Sequence, residues 1–226
     1  MIDGPLQPDL LAGNLRDLAR VNRWLGGNSV SWRALAPLLS AKESTTLLDV
    51  GTGSADMPRD LLRRALSGGR RLEVRATDVR PEIVGVAREQ SKGTAGLDIA
   101  LAATDRIDEA DRSWDVVHSS LVLHHLDGGE TGRMLAEMAR VARKAVIVND
   151  LERGRVWWLG AWLLTRLATG NRYTRHDAPL SVRRAYRADE LRALAEAAGL
   201  RMIASYTTSP AYRFALVFSP LGHDRA

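Results

Sequence analysis

No stretch confines the fold of this chain more tightly than Leu47-Leu48-Asp49-Val50-Gly51-Thr52-Gly53-Ser54-Ala55-Asp56. Thr46-Leu47-Leu48 is a short apolar run suited to a buried strand, and Gly51 and Gly53 then let the backbone turn sharply and approach a ligand closely. Met57-Pro58 opens the following helix, with Asp56 placed to cap it and Pro58 in an early turn, where a missing N–H is tolerated. Strand, tight loop and helix in this order form the grammar of a cofactor site. A dinucleotide loop needs a third glycine three positions after the second, for close packing of helix on strand, and Asp56 stands there instead. Hydride transfer is therefore disfavoured.

Asp49 sits at the strand end just before the glycines. A pyrophosphate would meet an unfavourable negative charge there, whereas a ligand carrying an ammonium and a sulfonium would not. The pattern Asp49-x-Gly51-x-Gly53 resembles the first motif of class I S-adenosylmethionine-dependent methyltransferases, with Ala55 where the usual form has another glycine. The resemblance implies S-adenosylmethionine as cofactor, with Asp49, Gly51, Thr52, Gly53 and Asp56 around it.

The chain after the loop continues in alternation. A helix over Asp60 to Leu66 stops at Gly68-Gly69, and Leu72 to Asp78 reads as a second strand ending in an acid. A helix between two strands implies a parallel pair, and an acid at the end of the second strand is placed to accept hydrogen bonds from ribose hydroxyls. Asp78, with Val79 beside it, is the strongest cofactor contact after the glycines. Pro81 to Gln90 is the next helix and Leu97 to Leu101 the third strand; in the family resembled, an acid after that strand bonds the adenine amino group, and Asp105 occupies the place. A solvated acidic loop is the alternative reading of Asp105 to Asp111.

Trp114 to Ser120 is a strand ending in small hydroxyls, followed by Leu121-Val122-Leu123-His124-His125-Leu126. This resembles methyltransferases similar to those of ubiquinone and menaquinone biosynthesis, and Ser119 and Ser120 leave room for the methyl donor at the strand's carboxyl end. Glu130 to Val141 is a helix, and Lys144 to Asp150 a strand apolar enough to be buried on both faces. Asp189 to Ala198 is the last helix, and Leu200 to Thr207 pairs with Tyr212 to Phe218 as an antiparallel hairpin. The expected fold is α/β: a three-layer Rossmann-like class I methyltransferase fold, with a mostly parallel seven-stranded sheet and an antiparallel last strand.

Two segments stand outside that core. Residues 1–40 read as N-terminal helices, one over Leu6 to Leu25 and one capped by Asn28 or Ser29 and distorted at Pro37. They cover a sheet edge or form a lid with Asn22, Arg23, Trp24 and Trp32 as contacts. Residues 41–150 form the cofactor core, 151–187 a cap insertion, and 188–226 the closing helix and hairpin, all within one methyltransferase domain. The cap carries Trp157, Trp158 and Trp162 close together, which suits a pocket for an aromatic or lipid-like acceptor. A helix packed on the sheet, or one lying on a membrane surface, are the other readings.

The segment from Asn149 to Tyr186 resembles small bacterial methyltransferases of polyketide, quinone or phenolic-lipid pathways. A small hydrophobic phenol is then the expected acceptor, with Asn149, Trp158, Trp162 and Tyr173 as contacts. A phenol with pKa near 10 is about three units from ionised at neutral pH, so a general base contributes roughly 4 kcal/mol. His176, beside Asp177, and His125 are the candidates. Carbon methylation of a quinone precursor and a non-catalytic S-adenosylmethionine-binding role are the alternatives.

Composition narrows the remaining classes. The chain has no cysteine, which excludes disulfides and thiolate chemistry, and no metal site is expected, since the two adjacent histidines lack further clustered ligands. A net charge of +5 comes from dispersed arginines rather than a basic stripe, which disfavours nucleic acid as partner. Met1 to Pro5 lacks the features of a signal peptide and no apolar run reaches the roughly 18 residues of a spanning helix, so the expected location is the cytoplasm.

Overall fold

The computed structural model describes residues 26–104, 106–154, 180–208 and 213–221. Asn22, Arg23 and Trp24, Asp105, and the cap residues Trp158, Trp162, Tyr173 and His176 lie outside the described residues. Helix α1 (Gly27–Leu35) runs into a 3-10 turn (Ala36–Leu38), and then β1 (Thr45–Val50), α2 (Asp56–Ser67), β2 (Leu72–Asp78), α3 (Pro81–Gln90) and β3 (Leu97–Leu101) alternate. β4 (Trp114–Ser120), a 3-10 turn (Leu123–His125), α4 (Gly128–Val141) and β5 (Ala142–Leu151) follow. The chain closes with α5 (Ala188–Ala197), β6 (Leu200–Thr207) and β7 (Arg213–Pro220).

The sheet has seven strands in the order β3-β2-β1-β4-β5-β7-β6, with β7 antiparallel to both its neighbours, as expected from the sequence. β1 is paired in parallel with β2 on one side and β4 on the other, so the strand order reverses there. At such a switch point the connections leave in opposite directions and open a crevice at the carboxyl ends of the strands. The glycine loop leaves β1 into that crevice.

Side-chain alternation along the strands builds a core on each face. Leu47, Val116, Ile147, Ala215 and Val217 pack against Val30, Ala34 and Leu35 of α1 and Leu61 and Leu62 of α2. Leu48, Val117, Val146, Val148 and Leu216 face Leu135 and Met138 of α4 and Leu191 of α5. Residues two apart share a face. Asp49, His118, Asn149 and Arg213 therefore lie on the α1 and α2 side, and Asp150 on the α4 and α5 side.

Several boundaries differ from the sequence reading. Asp56 does not cap α2: it is the first helical residue, and the cap is Ala55 in the left-handed conformation, φ 56°. The loop must swing left-handed to enter the helix, which costs a non-glycine residue about 1–2 kcal/mol. α1 starts earlier than Asn28 or Ser29, from Gly26 at φ 79°, so both residues are helical and Asn28 is buried. α4 begins at Gly128 behind a capping box in which Asp127 accepts from the Glu130 N–H and Glu130 from the Asp127 N–H. Within the stretch assigned to the cap insertion, residues 180–184 are helical.

Candidate active site

The glycine loop is tied to β2 by its own backbone. The N–H groups of Gly51 and Thr52 both donate to the Thr77 carbonyl, at 2.9 and 2.8 Å, and the Gly53 N–H donates to Asp78 Oδ2 at 3.0 Å. Asp78 also accepts from the Arg80 N–H at 3.1 Å. Burial pushes its carboxyl above the ordinary aspartate range, with the Arg80 and Gly53 N–H groups opposing the shift. The loop is thus held open and rigid, with a carboxylate at its lip.

The two glycines differ in purpose. At φ +73° Gly51 needs its conformational freedom, and a Cβ there would lie 2.4 Å from Cγ2 of Val122. Gly53, at φ +58°, has nothing within 4 Å of where a Cβ would stand. Gly51→Ala is expected to destabilise the fold by about 2–3 kcal/mol, from left-handed strain plus overpacking. Gly53→Ala loses only the strain, about 1 kcal/mol, and instead fills space beside Asp78. Thermal melts should separate the first variant, and cofactor titration the second.

A polar chain crosses the interior beneath the loop. Asp49 is 2% exposed and its Oδ1 accepts from His118 Nδ1 at 2.6 Å. That bond fixes the imidazole tautomer, so His118 Nε2 accepts from the Ser31 hydroxyl at 2.8 Å. Ser31 Oγ in turn accepts from Asn149 Nδ2 at 2.6 Å, and Asn149 Oδ1 from Arg213 Nε at 2.6 Å. Every donor points the same way, from a buried cation to a buried carboxylate. Such alignment satisfies each group and polarises its neighbours. Asn149, expected to touch an acceptor, is fully buried with its amide engaged by Ser31, Gly27 and Arg213, and so anchors α1 to β5.

On the opposite face of β5, Asp150 Oδ1 accepts from His124 Nδ1 at 2.6 Å and Oδ2 from the His124 N–H at 3.2 Å. Both residues are buried. The Asp150 carboxyl lies below its usual range: desolvation would raise it, but the charge and hydrogen bond of His124 prevail. The turn that brings His124 there begins at Leu121, held left-handed at φ 60° with its N–H on the Asn149 carbonyl at 2.9 Å. His125, the sequence candidate, stacks on His124 with ring centroids 4.1 Å apart. Desolvation and the neighbouring His124 push its imidazole down to about 4.

The remaining sequence candidates fall as follows. Thr52 is buried, Val79 is 47% exposed beside Asp78, and Asp56 accepts from the Ser54 hydroxyl at 3.2 Å. Ser119 is buried with its hydroxyl on the Val50 carbonyl at 3.2 Å. The sequence offers His124 beside His125 as a possible catalytic histidine and Asp150 as a residue able to hold the substrate or orient a base, whereas His118, Ser31 and Arg213 are not singled out by it. The one signal for His118 and Arg213 is polarity inside otherwise apolar strands, and Ser31, on α1, has no such signal.

Residues 47–145 match the model of a methyltransferase-domain family. That span runs from the middle of β1 through the glycine loop, Asp78 and the His124 turn into β5. Residues 47–145 thus form a methyltransferase domain, set in a chain with the class I S-adenosylmethionine-dependent methyltransferase fold. The methyltransferase has the fold of an S-adenosylmethionine-dependent enzyme from Aquifex aeolicus at 21% identity, TM-score 0.67, covering 96% of this chain and 100% of that one. It is similar to human N-acetylserotonin methyltransferase in complex with S-adenosylmethionine at 14% identity, TM-score 0.67, covering 95% and 57%. A family 2 O-methyltransferase from Planctomyces limnophilus in complex with apigenin matches at 19% identity, TM-score 0.67, covering 97% and 63%. Comparison with curated proteins returns no match.

The methyltransferase's own residues fit S-adenosylmethionine. Asp78 would hold the ribose hydroxyls with its carboxylate and Val79 would offer an apolar surface to the purine, while Gly53 has a backbone open to close approach. Thr52 Oγ1 is a buried hydroxyl oxygen without a hydrogen-bond partner, an atom that a polar ligand can satisfy. Among the described residues no helix is long and apolar enough to cross a membrane.

Proposed function

We propose that the enzyme O-methylates a small hydrophobic phenol, with His124 as general base and Asp150 as its orienting partner. The observation that carries this reading is the buried His124–Asp150 pair at the carboxyl rim of the sheet. In the neutral ring the carboxylate holds the proton on Nδ1 and leaves the lone pair on Nε2, and no hydrogen bond engages Nε2 among the described residues. The turn is also in contact with the glycine loop, since Val122, two residues before His124, bounds Gly51. The base and the donor loop thus share one rim.

S-adenosylmethionine, when bound, supplies a methyl carbon already activated by the sulfonium and departs as the neutral thioether. The chain's residues then have two tasks. The glycine loop and Asp78 fix the donor, and His124 Nε2 takes the acceptor's hydroxyl proton as the oxygen forms its new bond to carbon. Asp150 stabilises the imidazolium until the proton passes to solvent. His125, pushed down to about 4, is a poorer base for this step than an ordinary histidine. The fold shared with an O-methyltransferase in complex with apigenin agrees with an aromatic hydroxyl as acceptor, as does the tryptophan-rich stretch at 157–162.

Turnover of a panel of alkyl phenols and hydroxyquinones to S-adenosylhomocysteine, with the product examined by NMR, tests the reading. A methyl bonded to oxygen is expected. A methyl on ring carbon would assign carbon methylation instead, and no turnover on any member would remove the phenol assignment.

A further inference from the structure

The donor's amino-acid end raises a question separate from the acceptor, because an α-ammonium has three N–H donors and needs oxygens to receive them. Asp49 offers one. Its Oδ1 is held by His118, while Oδ2 accepts no hydrogen bond from any described residue. A second oxygen lies on α1. Asn28 is 4% exposed, yet its Oδ1 has no hydrogen-bond partner. Evicting a carbonyl from water without compensation is unfavourable, so such an atom calls for an explanation.

Its position supplies one. Gly27, the residue before Asn28, gives its carbonyl to Asn149 at the end of β5, which puts the start of α1 at the carboxyl rim. Around the helix, Arg33 marks the side facing β6, where it donates to the Thr207 carbonyl. At about 100° per residue Asn28 lies roughly 140° away from Arg33. Leu35, on the same stripe as Asn28 two turns later, is fully buried in the core that also holds Leu61 and Leu62 of α2, and the two helices are in contact. Asn28 therefore stands at the rim on the side of α2 and the glycine loop. Ser31, on the next turn, already touches His118, the partner of Asp49. Three buried side-chain polar atoms lack partners among the described residues; Asn28 Oδ1 and Thr52 Oγ1 are at this rim, and Trp114 Nε1 is at the far end of β4.

We propose that Asn28 belongs to the donor site, its Oδ1 and Asp49 Oδ2 together receiving the α-ammonium of the methionine moiety. The N-terminal turn of α1 is then a wall of the cofactor site and not only a cover for the sheet. The unsatisfied amide is a feature kept for the ligand at the expense of the free protein. This makes a signature that a purely structural residue lacks: removing the amide should weaken binding without weakening the fold.

Calorimetric titrations of wild type, Asn28→Ala and Asn28→Asp test it with three ligands: S-adenosylhomocysteine, its deaminated analogue, and 5′-methylthioadenosine, which lacks the amino-acid end. Asn28→Ala should bind S-adenosylhomocysteine about 10- to 100-fold more weakly and the other two within about twofold of wild type. Its ligand-free melting temperature should equal or exceed that of wild type, and Asn28→Asp should restore binding. Unchanged affinity for S-adenosylhomocysteine, or an equal loss for all three ligands, would overturn the proposal. Failure of wild type to bind S-adenosylhomocysteine would overturn the donor assignment and the proposal with it.

Discussion

His124→Gln is expected to lower kcat by about 10²- to 10⁴-fold, the usual contribution of a positioned general base, while leaving S-adenosylhomocysteine affinity close to that of wild type. Glutamine can still donate to Asp150, so the buried carboxylate stays paired and the turn after β4 stays in place. What disappears is the basic nitrogen. Asp150→Asn tests the same unit from the other side. An amide can turn its NH₂ toward Nδ1 and leave the imidazole with its proton on Nε2, where it can no longer accept one. A similar loss in kcat should follow with little change in KM for the donor. Stopped turnover assays with saturating donor decide the matter, and kcat within about threefold of wild type in both variants would remove the dyad from the mechanism.

Asp49→Ala should be the most damaging single change beneath the donor loop. It leaves the Nδ1–H of His118, which is fully buried, without an acceptor. It also ends the aligned chain that runs from Arg213 through Asn149 and Ser31. Losing a buried charged partner costs about 2–4 kcal/mol, a shift that urea unfolding will show as a lower midpoint. Donor affinity should fall in parallel, because the carboxylate facing the ammonium is gone. Asp49→Asn separates the two effects. Its amide oxygen can still accept from His118, so most of the stability should return while donor affinity stays low. If Asp49→Asn binds S-adenosylhomocysteine as wild type does, Asp49 serves the fold and not the cofactor.

Each of these residues sits in a short, local context that the sequence displays, yet their partnerships are distant in the chain. Asp49 and His118 are 69 residues apart, His124 and Asp150 26, and Ser31 and Asn149 118. A lone polar residue in an apolar strand shows that something must satisfy it and does not show what. His125 is legible as a candidate base because histidine has a suitable intrinsic basicity. Its depressed pKa and the carboxylate that instead engages its neighbour arise from packing. Asn28 looked like a helix cap because asparagine favours that place, but Gly26 takes it and Asn28 is turned inward.

The sequence by itself determined the alternation of strands and helices, the glycine loop, the acid at the end of β2 and, through these, the methyltransferase fold. Those features follow from backbone freedom and hydrophobic period, which act within a few residues. Only the tertiary structure decided that Asp49 is paired with His118, that Asn149 is an anchor, and that His124 has the buried carboxylate. Pairing of buried polar groups depends on which strand lies beside which and in what register. Here β4 stands between β1 and β5, His118 opposite Asp49 and Ser120 opposite Asn149, an adjacency set by the packing of the whole sheet.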